Sequence, residues 1–241
     1  MSQRVAIRER RQKRKQQQRL ITIMIVAGIA LIAVAIIMIP TIMRNLETVG
    51  EFTQPEQNPR PLASENTMGD PNAPVVIEEF SDFGCNHCAN FVTGTGEQIA
   101  QEYVANGQVY FISRSAGNLL NNPNTQLAAE AAYCAADQDM YWEYHDIIYA
   151  NQSILFYGGL NYIDNYLEAF ANALDLDMDQ FNTCMDDHLF RQQMLLDGNE
   201  ARSQGINGTP AFLINGKLIP GNVPYEEFQQ AIAEAQAQSN Q

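Results

Sequence analysis

The chain has 241 residues, room for one sizeable core and a short extra segment. Its formal net charge of −14 hides an uneven split: residues 1–19 hold eight Lys/Arg against the single acid Glu9, leaving 6 basic and 27 acidic residues in positions 20–241. A body that acidic argues against nucleic acid or other anionic partners, and it favours solubility.

Leu20 to Ile39 follows the basic arm as 20 residues without one charge. At about 1.5 Å per residue such a helix crosses a hydrocarbon layer of roughly 30 Å. No polar stripe interrupts it, as a buried helix of a soluble protein would require. It is longer than a usual signal-peptide core and lacks a small-x-small cleavage site at its outer end, so an uncleaved signal anchor over 20–43 is expected rather than a removed leader. The positive-inside rule places residues 1–19 in the cytoplasm and everything after about residue 43 outside.

Residues 44–72 read as a linker, with Pro55, Pro59, Pro61 and Pro71 among Gln, Glu, Asn and Ser. The folded domain is expected over 73–238, beginning at Ala73-Pro74. Val75–Phe80 reads as a strand, 86–105 as a helix closed by Asn106-Gly107, and 108–113 as a second strand. This βαβ unit places Cys85-Asn86-His87-Cys88 at the C-terminal end of its first strand, where open α/β sheets carry their chemistry.

A thiol at a helix N-terminus feels the positive end of the dipole and ionises more readily. A second thiol one turn on closes a small exchangeable ring. The C-x-x-C spacing also suits zinc or a plain bridge. Structural zinc needs four ligands, and no second C-x-x-C or H-x-x-x-H accompanies it; His145 and His188 read as ordinary helix residues. No metal or organic cofactor is expected. With Cys85 and Cys88 as one pair, Cys134 and Cys184 are left to each other, a staple closing a loop of about 50 residues and worth roughly 4 kcal/mol in the chain-entropy model.

Residues 117–200 read as a helical insertion, with helices over Thr125–Asp137, Met140–Ala150, Tyr162–Leu174 and Asp179–Gly198, and Asp177 or Asp179 as a cap. Tyr141, Trp142 and Tyr144 read as packing of that insertion. Strand signals return at Ala211–Ile214, then the hairpin pair Asn215-Gly216, then Lys217–Pro220, and a helix over Pro224–Gln238 ends the chain.

Four local motifs carry a resemblance: Gly69-Asp70-Pro71-Asn72-Ala73-Pro74, Glu79-Phe80-Ser81-Asp82-Phe83, Tyr141-Trp142-Glu143-Tyr144-His145-Asp146, and Gly205-Ile206-Asn207-Gly208-Thr209-Pro210-Ala211-Phe212. With the order of elements, they resemble the thioredoxin superfamily, and within it the DsbA-like thiol:disulfide oxidoreductases with an inserted helical domain, in particular the membrane-anchored BdbD-type bacterial group. The resemblance covers about residues 67–236. It implies an α/β thioredoxin fold with a helical insertion, behind a single N-terminal transmembrane helix.

By that resemblance Cys85 is the exposed nucleophile and Cys88 the buried resolving thiol. Thr209-Pro210 is the loop whose X-Pro bond is cis and faces the disulfide. His87 stabilises the Cys85 thiolate, and Asn86 departs from the proline often found there. Glu79, rather than Glu78, is the partly buried acid beneath the site. The implied activity is introduction of disulfides into exported unfolded proteins at the bacterial cell membrane. Reoxidation then needs a quinone-linked membrane partner, DsbB-like or vitamin K epoxide reductase-like. Two alternatives stay open: a reductase or isomerase of the same fold, since isomerases of this superfamily also carry Thr before the cis-proline, and an anchored chaperone or binding module whose thiols are incidental.

Overall fold

The computed structural model describes residues 2–46, 48–160 and 162–239. Met1 of the basic arm, Glu47 of the expected linker, Asn161 of the insertion, and Asn240 and Gln241 lie outside the described residues. Two units divide the chain, Met1–Thr48 and Val49–Gln241. The first is one helix, α1 (Ser2–Leu46). Within it the 23-residue stretch Gln17–Ile39, whose most apolar 18 residues have a mean hydropathy of 3.1 and include none that is buried, is long and apolar enough to cross a membrane. An unbroken helix satisfies its own backbone there, which hydrocarbon demands.

The second unit is built on a mixed sheet of β1 (Thr67–Met68), β2 (Val75–Ser81), β3 (Val109–Ser115), β4 (Ala211–Ile214) and β5 (Lys217–Pro220) in the order β1-β3-β2-β4-β5. Strands β2 and β3 run parallel, with Val75 opposite Val109 and Ser81 opposite Ser115. The other pairings are antiparallel. Central β2 alternates in its first five positions, Val75, Ile77 and Glu79 buried between half-buried Val76 and Glu78, as the period of two requires. One face packs on helix α2 (Asn86–Val92), which α3 (Thr95–Ile99) follows, and, at the C-terminus, on α9 (Tyr225–Ser239). Phe91, Phe212 and Phe228 interlock there, at ring-centroid distances of 4.5 and 4.8 Å. Phe80, Ala116, Ala201, Ile206, Ala211 and Leu213 form a separate cluster.

Between β3 and β4 lies the helical insertion: α4 (Pro123–Ala136), α5 (Tyr141–Ala150), α6 (Asp164–Ala173), α7 (Met178–Asp186) and α8 (Arg191–Ser203). Asn122 caps α4 by accepting from the Asn124 N–H, with Pro123 in the first turn, and Asp177 caps α7 by accepting from Asp179 and Gln180. The Ala-rich body of α4 is almost wholly buried, because small side chains let neighbouring helices approach it. Cys134 of α4 and Cys184 of α7 are joined, both buried.

Three sequence expectations need correction. The helix expected over 86–105 breaks after Val92. Gly94 sits at φ −135°, ψ −100°, outside helical space, and the chain restarts as α3 and a π-turn at Ala100–Val104. A Cβ on Gly96 would lie 3.1 Å from the Phe91 ring, so the break lets the two pieces fold against each other. The helix expected over 179–198 also divides, at His188, whose φ is +51°. The largest correction concerns the linker. Its composition is loop-like, yet Val49 and Phe52 pack on the core, Thr53 and the Asn151 amide exchange hydrogen bonds of 2.8 and 2.7 Å, and Arg60 forms an ion pair with Asp146 at 2.8 Å. The folded unit therefore begins at Val49. Side-chain partners far along the chain hold this segment, and composition does not report them.

Replacing both Cys134 and Cys184 by Ser should lower unfolding free energy by about 4 kcal/mol, for a loop of 50 residues. Urea denaturation of the Cys85- and Cys88-blocked protein measures it, with the spectroscopic signature of the folded state retained.

Candidate active site

Strand β2 ends at Ser81, and a tight turn carries the chain into α2. The buried Asp82 carboxylate holds that turn. It accepts the Gly84 N–H at 2.7 Å and the Thr125 hydroxyl at 3.1 Å, while the Asp82 carbonyl accepts the Cys85 N–H at 2.9 Å. Gly84 is needed for the close approach of α4: a Cβ there would stand 2.6 Å from Thr125 Cγ2. Cys85 then occupies the N-cap position in extended conformation, so the first free N–H groups of α2 point toward its sulfur.

The two thiols meet opposite environments. Cys85 is half-buried and Cys88 wholly buried, and both are free. Cys85 is pulled from an ordinary thiol value of 9.0 down to about 5: first by the hydrogen bond from Cys88, against the opposing effect of burial, then by Thr209 and the main-chain N–H groups of Cys88 and His87. Cys88 goes the other way, well above the ordinary value, chiefly because burial penalises its thiolate and because it donates to Cys85. The Thr209-Pro210 peptide bond is cis, and the Thr209 carbonyl lies 3.3 Å from Cys85 Sγ, which donates to it while protonated.

The remaining expected residues fall at different depths. His87 is exposed, and it is its main-chain N–H that reaches Cys85. Glu79 is 1% exposed, and burial lifts its carboxyl from 4.5 to about 8, against the Ser81 hydrogen bond and the Arg60 charge. Glu78 points to the other face and pairs with Arg114 at 2.7 Å. Cys85, Cys88, Thr209 and Pro210 thus gather at one point, with Glu79 beneath and the His87 imidazole outside. Cys134 and Cys184 form their own bond in the insertion. Among the described residues no group of three or more His, Cys, Asp or Glu is placed to hold a metal ion.

Several contributors escape sequence reading. The turn's carbonyls all accept from the insertion: Asp82 from the Tyr149 hydroxyl at 3.3 Å, Phe83 and Cys85 from the Gln152 amide at 2.7 and 3.0 Å, and Gly84 from the Tyr157 hydroxyl at 2.5 Å. Every carbonyl from 82 to 85 is therefore turned toward a donor of the insertion. Burial also lifts the Asp82 carboxyl from 3.8 to about 6.

A family model described as thioredoxin matches residues 63–234. The chain belongs to the thioredoxin family. The crystal structure of oxidised BdbD from Bacillus subtilis superposes with a TM-score of 0.63 at 21% identity, covering 75% of this chain and 97% of that one, a likeness of fold. "Probable disulfide bond formation protein D" of Bacillus cereus is 25% identical over 173 residues, 70% of this chain and 78% of that protein. "Na(+)/H(+) antiporter NhaA 1" of Salinispora arenicola is 31% identical over 172 residues, 71% of this chain but 24% of the antiporter, so the chain spans about a quarter of that relative's length.

Within this thioredoxin fold, Asp82 and His145 lie inside motifs that carried the resemblance, but nothing local assigns them a task. Thr125, Tyr149, Gln152 and Tyr157 come from other elements, and only their polarity in otherwise apolar helices could have flagged them.

Two outcomes follow from these environments. Gln152→Leu leaves two buried carbonyls without their side-chain donor, which should destabilise the domain by about 1–3 kcal/mol and raise the midpoint of thiolate absorbance at 240 nm. In the second, Cys85 binds fewer protons folded than unfolded between pH about 5 and 9.0, so its contribution to the reduced protein rises with pH across that window and is lost as pH falls through about 5. The oxidised protein has no such group. Denaturant curves of both forms should show the reduced form gaining on the oxidised form as pH rises from 5 to 9.

Proposed function

We propose that this chain is a membrane-anchored, extracytoplasmic thiol:disulfide oxidoreductase that donates the Cys85–Cys88 disulfide to exported proteins. The observation that carries the reading is the contrast between the two sulfurs. One is accessible, surrounded by donors and pulled down to about 5; the other is buried and held protonated. A stabilised Cys85 thiolate favours the reduced pair, and so makes the disulfide an avid electron acceptor.

In the forward direction a substrate thiolate attacks Cys85 Sγ. The Cys85–Cys88 bond breaks, and its electron pair goes to Cys88, which takes a proton. A second substrate thiolate attacks the substrate sulfur of the mixed disulfide and expels the Cys85 thiolate. Two electrons pass from the substrate dithiol to the protein pair. Thr209 presents its carbonyl beside the sulfur, where an extended substrate strand can dock alongside the cis-Pro210 loop. His87 serves through its main-chain N–H, with its imidazole at the mouth of the site. Glu79 serves as the proton donor and acceptor for Cys88, a task for which a raised carboxyl is suited near neutral pH.

The topology is part of the same proposal. The basic arm, 1–19, stays in the cytoplasm, the apolar stretch of α1 spans the membrane, and the redox unit faces outward, where disulfides persist. Cys134–Cys184 is a structural staple, since both sulfurs are buried. The reduced pair returns its electrons to a quinone-linked membrane protein. Donation is favoured over reduction by the low Cys85 value, because a reductant needs the opposite bias.

The reduction potential of Cys85–Cys88, equilibrated against glutathione with Cys134–Cys184 intact, tests the reading. We expect a value more positive than about −180 mV; one near about −270 mV would make the protein a reductant. Cys85→Ser should abolish oxidation of a reduced, unfolded substrate, and full retention of function by that variant would instead favour a binding module.

A further inference from the structure

The ring of His145 is 2% exposed, packed between Tyr141, Trp142, Phe83 and Tyr149 at centroid distances of 4.8 to 5.8 Å. Its Nδ1 lies 2.8 Å from Asp146 Oδ1, and Asp146 in turn receives both hydrogen bonds of the Arg60 NH2 group, at 2.8 and 2.9 Å. Burial lowers the basicity of His145 against the pull of Asp146, so the neutral ring, with its proton on Nδ1 toward Asp146, leaves Nε2 as an acceptor.

Four buried side-chain polar atoms have no hydrogen-bond partner among the described residues: Thr209 Oγ1 in the active-site loop, and Arg60 Nε, Glu79 Oε1 and His145 Nε2. Arg60, Glu79 and His145 line one cavity, otherwise walled mainly by apolar groups such as Phe91, Phe111 and Trp142, with about 10 Å³ open to the centre of a water-sized sphere. A buried polar atom left unpaired is penalised by lost hydration, and one water needs two to four polar partners and about this much room. The hydrogen-bonding capacities match. Arg60 Nε–H and the protonated Glu79 carboxyl donate, and the water donates to His145 Nε2.

We infer that Arg60, Glu79 and His145 bind one internal water molecule that connects the buried acid beneath Cys88 to His145, and that His145 is the positioning residue and proton acceptor at the inner end of this relay. The inference rests on the proposed exchange of a proton between Glu79 and Cys88. During reoxidation a partner disulfide has formed a mixed disulfide with Cys85, and Cys88 must lose its proton. That proton passes from Cys88 Sγ to Glu79 as the Glu79 proton moves through the water to His145 Nε2. The sulfur keeps its electron pair, attacks Cys85 Sγ and releases the partner's thiolate; Glu79 and the water end unchanged. The imidazolium is held by the Asp146 carboxylate, while Arg60 disfavours its persistence. Tyr141 and Tyr149, the other titratable groups against the ring, stay protonated, since burial raises both. Arg60 and Asp146 also line a second cavity of about 130 Å³, bordered by segment 54–58, α5 and the end of α6.

The test uses the reduced full chain in detergent, with oxidised glutathione as the probe, and follows closure of the Cys85–glutathione mixed disulfide by stopped flow. His145→Gln should slow closure about tenfold at pH 7 and remove its solvent deuterium isotope effect, while the equilibrium constant with glutathione and the Cys85 thiolate midpoint stay at wild-type values. A wild-type rate and isotope effect in that variant overturns the relay. Glu79→Gln separates the two readings: if it closes at the wild-type rate the buried-acid reading itself fails, whereas slow closure there with normal closure in His145→Gln removes only the His145 step. Should His145→Gln not fold, a high-resolution crystal structure of the unaltered protein decides. A water within hydrogen-bonding distance of all three atoms supports the site, and density empty of one overturns it.

Discussion

A negative charge on the Cys85 sulfur is the condition around which the domain is arranged. A thiolate in a half-buried position is penalised by lost hydration, and only oriented donors can offset that penalty. The chain supplies them by ending β2 at Ser81, turning tightly at Gly84 and starting α2 at Asn86, so that unsatisfied N–H groups of the first turn converge on the sulfur. The same turn leaves a row of carbonyls, which would repel the charge if they rotated toward it. Tyr149, Gln152 and Tyr157 hold them the other way. The helical insertion is therefore part of the electrostatics of the site as well as a cover over it.

Burial does the complementary work beneath. Cys88 and Glu79 lie where a charge is poorly solvated, so both keep their protons to higher pH than they would in water. A low-dielectric interior strengthens each polar contact that is made and penalises each one left open. That is why the unpaired atoms of Arg60, Glu79 and His145, gathered around a single small cavity, carry more information than their number suggests. The docked segment before β1 contributes to this arrangement through Arg60, whose guanidinium lies 4.8 Å from the Trp142 ring centroid and pairs with Asp146. Residues that look like a tether in composition thus take part in the interior beside the site.

Much of the architecture was legible because it rests on local rules. A 20-residue uncharged run, a β-branched strand, Asp177 ahead of a helix and Asn215-Gly216 between two strands each declare themselves through composition or backbone preference. The breaks at Gly94 and His188 did not, since each depends on a packing contact or a φ value that neighbours in space impose. The docking of 49–66 was not legible for the same reason: Thr53 meets Asn151 and Arg60 meets Asp146 across 98 and 86 positions.

By itself, the sequence determined the apolar span, the strand–thiol–helix unit, the pairing options of four cysteines and the family motifs, because these are properties of spacing and residue type. Only the tertiary structure decided how far Cys85 and Cys88 diverge, that Glu79 rather than Glu78 is buried, and that the His145 ring borders a small cavity shared with Arg60 and Glu79. Those facts concern solvation and distance. Desolvation depends on everything packed around a group, and that surrounding comes from β-strands, helices and a docked segment far apart in the chain.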